Sequence, residues 1–199
     1  MSGARGQNAA GAAGAVGAAG GGTLGGVLVV GLGSVDRGDD AVGPVVAGLV
    51  SDVVADRGIE DVRVILHEDP TALIDLWSGA GLVVVVDAVV SGQDAGTIHV
   101  LETGAGEQAL PTSAWSGAGR AGTHAFGLAG SVELARALHR LPPRLVLLGI
   151  EAASFDHGAP LSEPVTAAVD RAVTTVLDVL AGLPSSDALS WAGERRVPR

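Results

Sequence analysis

Residues Val27–Gly43 read VLVVGLGSVDRGDDAVG, and the order of residue types in this stretch decides the fold. Val27–Val30 is apolar and mostly β-branched, which suits a strand buried on both faces. Gly31 and Gly33 then permit a tight turn where a side chain would clash. Asp36, Arg37, Asp39 and Asp40 follow. After them Val42, Val45, Val46, Leu49 and Val50 recur every three or four residues, the spacing of a helix face. The carboxylates therefore fall at a strand-to-helix junction above the carboxyl end of a strand, where open α/β sheets gather their ligands.

Outward from this unit the alternation continues. Val62–Leu66 predicts a second strand, ended by His67-Glu68-Asp69-Pro70 ahead of a helix running to about Trp77, with Pro70 in its first turn. Leu82–Val90 (LVVVVDAVV) is apolar except for Asp87, the mark of a central strand covered on both sides. A hairpin-like return through SGQDAG predicts a strand at Thr97–Leu101, and Gly104–Gly122 reads as a long surface loop. Leu128, Val132, Leu134, Ala135 and Leu138 predict a helix that opens near Thr123-His124 and is stopped by Pro142-Pro143. Leu145–Ile150 predicts the last strand and Asp156–Gly158 a turn. A final helix runs to about Leu180, with Ser162 as N-cap and Pro164 in its first turn.

Strands alternating with helices predict one α/β domain over residues 27–183, a three-layer α/β/α sandwich around a mostly parallel twisted sheet. Residues 1–26 contain ten glycines and no leucine-rich block, and read as a disordered Ala/Gly-rich extension rather than an export signal. Residues 184–199 read as a flexible tail.

Composition narrows the function. A net charge of −10 lacks the basic footprint of a nucleic-acid binder and gives no support for docking on anionic membranes. Beyond the Gly-rich extension, no uncharged apolar run reaches the ~20 residues that span a bilayer. The absence of cysteine removes disulfides, thiol nucleophiles and thiolate metal sites together, and fits a cytoplasmic protein.

The acidic junction is no phosphate cradle. A dinucleotide fingerprint needs G-x-G-x-x-G, and Asp36 stands at the third glycine. Like charges ~4 Å apart cost on the order of 4 kcal/mol at an effective dielectric of 20, so this loop repels phosphate. No G-K-[ST] follows for a P-loop, and neither G-x-S-x-G nor H-E-x-x-H occurs. A helix cap, worth ~1 kcal/mol, accounts for one of Asp39 and Asp40; a cation or acid–base role accounts for the pair. Asp87 is costly in a doubly buried strand unless hydrogen-bonded, metal-bound or exposed at the sheet's end. It ends a strand that would neighbour the one before Asp40. His124, at a loop-to-helix junction, suits capping or surface chemistry alone. With two carboxylates it makes a donor set for a divalent transition metal such as Zn or Ni. His67, Glu68 and Asp69 read as rim or capping residues, and His139 and His157 as surface.

At these residues the sequence resembles the hydrogenase maturation proteases, endopeptidases that trim the carboxyl terminus of the nickel–iron hydrogenase large subunit. The G-x-G-N opening stands as Gly31-Leu32-Gly33-Ser34, and the D-[DE]-x-x-G group as Asp39-Asp40-Ala41-Val42-Gly43. The V-D-A strand motif stands as Val86-Asp87-Ala88, followed by Ser91-Gly92, and the histidine motif as Thr123-His124-Ala125-Phe126-Gly127-Leu128. Gly149-Ile150-Glu151 and Leu161-Ser162-Glu163-Pro164-Val165 complete the series. Ser34 departs from the family's asparagine.

The resemblance, which runs from about Val27 to Leu183, implies that Asp40, Asp87 and His124 are the catalytic, metal-contacting triad. It implies that nickel is carried by the substrate, that no permanent cofactor is needed, and that the partner is a hydrogenase large-subunit precursor. Asp39 then orients the loop or caps the helix. Two readings compete: a zinc hydrolase of a small molecule that holds its own metal at the same three residues, and a non-catalytic chaperone that binds nickel or the immature subunit.

Overall fold

A computed structural model describes residues 25–106 and 123–182, without the side chains of 123–126. The expected extension, most of the Gly-rich loop and the expected tail lie outside the described residues. Five strands form one sheet in the order β2-β1-β3-β5-β4. These are β1 (Val27–Leu32), β2 (Val62–His67), β3 (Leu82–Val89), β4 (Ile98–Thr103) and β5 (Arg144–Glu151). β1 pairs in parallel with β2 and β3, β3 with β5, and only β4 runs antiparallel, against β5. Every residue of β1 and β3 is buried, as their uninterrupted apolar runs require.

Alternate residues of each strand feed two cores. Val27 and Val29 of β1, with Val84, Val86 and Val146, meet α1 (Val42–Asp56) and α4 (Glu163–Ala181). Leu28, Val30 and Leu32, with Val83, Val85 and Leu147, meet α2 (Leu73–Leu76) and α3 (Thr123–Ala137). The result is the three-layer sandwich that the sequence predicts.

Three local expectations are revised. β4 reverses direction after β3 but does not pair with it, because β5 occupies the slot between them. β5 is buried almost throughout, whereas in β4 only Thr103 is buried, so β5 takes the interior and β4 the edge. The helix expected from Pro70 to Trp77 is a 3-10 turn, Pro70–Ala72, followed by the single turn of α2. Ser162 does stand at the N-cap position of α4, but its side chain makes no cap hydrogen bond; its hydroxyl is used elsewhere, as follows.

Candidate active site

The carboxyl ends of the parallel strands form one pole of the sheet, and the chain after β1 folds over it. Two contacts fix this arrangement. A Cβ on Gly31 would lie 2.4 Å from the Gly43 carbonyl oxygen, and one on Gly43 would lie 2.2 Å from the Leu32 oxygen and 2.5 Å from that of Val86. Only two glycines allow the start of α1 to approach the ends of β1 and β3 so closely. Gly33, at φ 128°, turns the chain against the Asp40 backbone, where a side chain would be doubly excluded.

Asp39 and Asp40 lie in a 3-10 turn, Gly38–Ala41, that leads into α1 and packs against β3. Both are buried, and neither caps its turn. They do different work. Asp39 Oδ2 accepts from the Ala153 and Ser154 N–H groups at 2.7 and 3.0 Å and from Ser162 Oγ at 2.9 Å, while Oδ1 accepts from Ser162 N–H at 2.6 Å. It therefore ties the loop after β1 to the connection between β5 and α4, which explains why Ser162 spends its hydroxyl there. Asp39→Ala strands these buried donors and is expected to cost about 3 kcal/mol or more, read from the urea unfolding midpoint. Asp40 Oδ2 accepts from Ser34 N–H at 3.0 Å. That bond uses the backbone, so serine in place of asparagine leaves it intact.

Asp87 is fully buried near the end of β3. It shares the face of Val83, Val85 and Val89, the α2–α3 side. The backbone of its neighbour Val86 lies against Gly43 at the strand end, so Asp87 and the turn that carries Asp40 stand at the same pole of adjoining strands.

His124 lies in the first turn of α3, which runs back along the sheet and so begins at the same pole. Gly127 presses this end onto Pro70, where a Cβ would lie 2.6 Å from the proline Cγ. The His124 side chain lies outside the described residues. Among the described residues no three His, Asp or Glu side chains are grouped to hold a metal.

The remaining histidines follow expectation in part. Asp69 caps the 3-10 turn by accepting from Thr71 N–H and Oγ1 at 2.8 and 2.7 Å, and His67 Nδ1 accepts from Asp69 N–H at 3.0 Å. His139 and His157 are exposed. His99 has a role that the sequence reading passed over: its Nε2 stands 3.3 Å from buried Glu151. The signal was the same as at Asp87, an acid ending an apolar strand.

A model of the hydrogenase maturation protease family matches residues 68–179, more than half of the chain. The chain belongs to the hydrogenase maturation protease family. A hydrogenase 2 maturation peptidase from a Thaumarchaeota archaeon is 30% identical, with a TM-score of 0.54 and 79% of this chain and 99% of that one covered. The hydrogenase maturating endopeptidase HybD of Escherichia coli shares the fold at 22% identity, with a TM-score of 0.64 and 81% and 99% covered. The [NiFe] hydrogenase maturation protease HycI of Thermococcus kodakarensis is 24% identical, with a TM-score of 0.57 and 78% and 92% covered. No curated protein matches the chain by sequence. As a member of an endopeptidase family the maturation protease is a hydrolase, and among its described residues no helix is long and apolar enough to cross a membrane.

Proposed function

We propose that this maturation protease removes the carboxyl-terminal peptide of a nickel–iron hydrogenase large-subunit precursor, using nickel already lodged in the precursor as its recognition element. The observation that supports the reading is the burial of two carboxylates, Asp87 near the end of β3 and Asp40 in the turn that follows the adjoining β1. The helix bearing His124 begins at the same pole. Two carboxylates and an imidazole suit a divalent transition metal. An ion held among them would supply polarisation of a carbonyl or activation of a water for peptide hydrolysis. Asp40, Asp87 and His124 complete the coordination of the precursor's nickel, so an empty precursor leaves the site incomplete and is not cut. The enzyme needs no permanent cofactor and works in the cytoplasm.

Intact-mass spectrometry of a co-expressed precursor tests this reading. Loss of a carboxyl-terminal peptide is expected only when nickel and this protein are both present. An unchanged mass together with a stable complex would replace the protease by a nickel or subunit chaperone. Stoichiometric zinc in the purified protein would favour a zinc hydrolase.

A further inference from the structure

Glu151 is a buried carboxylate that the proposed reaction does not use. It ends β5 and is 1% exposed. In the β3–β5 register Val89 lies beside Glu151 and Asp87 beside Gly149, so Glu151 and Asp87 project from the same face of neighbouring strands. On its other side Gly149 pairs with His99 of β4. Asp87, Gly149 and His99 thus form one row across the sheet, with Glu151 one step beyond it.

The Glu151 side chain gathers the chain that leaves β3. Oε1 accepts from the consecutive N–H groups of Ser91, Gly92 and Gln93 at 2.7, 2.8 and 3.2 Å. Oε2 accepts from Ser91 Oγ at 2.8 Å and stands 3.3 Å from His99 Nε2. The backbone of Glu151 holds the far end of the same connection: its carbonyl accepts from Gly96 N–H and its N–H donates to Thr97 O, both at 2.8 Å. Successive backbone N–H groups converging on one point form an anion nest, and here the protein fills it with its own carboxylate.

The cluster contains serine, histidine and glutamate but is not a nucleophilic triad. Ser91 Oγ donates to the Glu151 carboxylate, and His99 Nε2, 3.5 Å away, faces that same carboxylate, so the imidazole is not set to take the serine proton. What the cluster does is mechanical. It fixes the segment that begins two residues after Val89, at the strand end that carries Asp87.

We propose that Glu151 is a positioning residue: by clamping Ser91–Gln93 it fixes the end of β3 and, through it, the Asp87 carboxylate. Its consequence for catalysis rests on the protease reading above. Glu151→Gln keeps an amide oxygen for the three N–H groups and fills the same space, whereas Glu151→Ala removes the clamp.

The test compares the full-length wild type with both variants by nuclear magnetic resonance of the Asp87 carboxyl carbon, by amide exchange at Ser91–Gln93, and by processing kinetics. Glu151→Ala is expected to shift or split the Asp87 signal, to speed exchange at the three amides, and to lower kcat about tenfold or more with KM little changed. Glu151→Gln is expected to restore the Asp87 signal and most of kcat, which a loss of stability alone would not predict. An unchanged Asp87 signal or an unchanged kcat in folded Glu151→Ala overturns the proposal. If that variant does not fold, Glu151→Asp decides instead, because the shorter side chain draws its carboxylate back from the three N–H groups: a moved Asp87 signal supports the clamp, and an unmoved one overturns it. The Asp87 signal is read without substrate, so a wild type that processes no precursor counts against the protease reading alone.

Discussion

Asp40→Asn, Asp87→Asn and His124→Ala will each fold and yet process the nickel-loaded precursor at least about a hundredfold more slowly than the wild type, the scale seen when a group that stabilises developing charge is removed. The two asparagine substitutions keep side-chain volume, so neither opens a cavity beneath the pole. At position 40 the carboxamide oxygen can still accept from the Ser34 N–H that now bonds to Oδ2 at 3.0 Å. What disappears is negative charge, a loss to which the proposed divalent ion would respond directly. Time-resolved intact-mass spectrometry gives the rate, and circular dichroism melting shows that the fold persists. If the ion arrives inside the precursor, as proposed, added free nickel will not rescue the variants. Wild-type processing by a triple variant lacking all three groups would end the assignment.

Gly43→Ala will destabilise the domain by about 3 kcal/mol or more, a large part of the 5–15 kcal/mol that holds a typical domain together. The added methyl would lie 2.2 and 2.5 Å from the carbonyl oxygens of Leu32 and Val86. Both are backbone atoms of central strands, so no rotamer change relieves the clash, and α1 must lift from the sheet. Gly48→Ala, on the same helix with nothing within 4 Å of the new Cβ, provides the contrast. There the higher helix propensity of alanine should stabilise by about 0.5–1 kcal/mol. Urea unfolding of the two variants separates steric exclusion at the strand ends from any general need for glycine in α1. Equal midpoints would mean that the close approach carries no energetic weight.

Much of this architecture was legible because its signals are local. Val27–Val30 and, apart from Asp87, Leu82–Val89 are apolar on both faces, which only the interior of a parallel sheet accommodates, and they lie side by side. The place of β4 was not legible. The sequence at Ser91–Gly96 announces a change of direction, but which strand lies alongside is settled by β5, encoded some fifty residues later. The separate tasks of Asp39 and Asp40 were open for the same reason: the groups that occupy Asp39 are Ala153, Ser154 and Ser162, at the other end of the domain. Ser162 illustrates how a local rule yields to a distant partner. It has the right type and position for an N-cap, but a buried carboxylate claims its hydroxyl first. Glu151 could have been singled out by the reasoning applied to Asp87, since both are acids closing an apolar strand.

The partners of Asp39 stand 114 to 123 positions further along the chain, and this has a meaning for the order of synthesis. The ribosome makes Asp39, Asp40 and Asp87 well before β5 and the Ser162 turn. Until those later segments emerge, β3 has a bare flank and Asp39 lacks the partners that tie the loop after β1 to the rest of the domain. Contacts this distant in sequence form late and slowly, because their loop-closure entropy is met before any bond rewards it. A nascent chain therefore carries its acids for most of its translation without the frame that sets them. The frame around Asp39 is complete only when Ser162, at the start of the last helix, has been made.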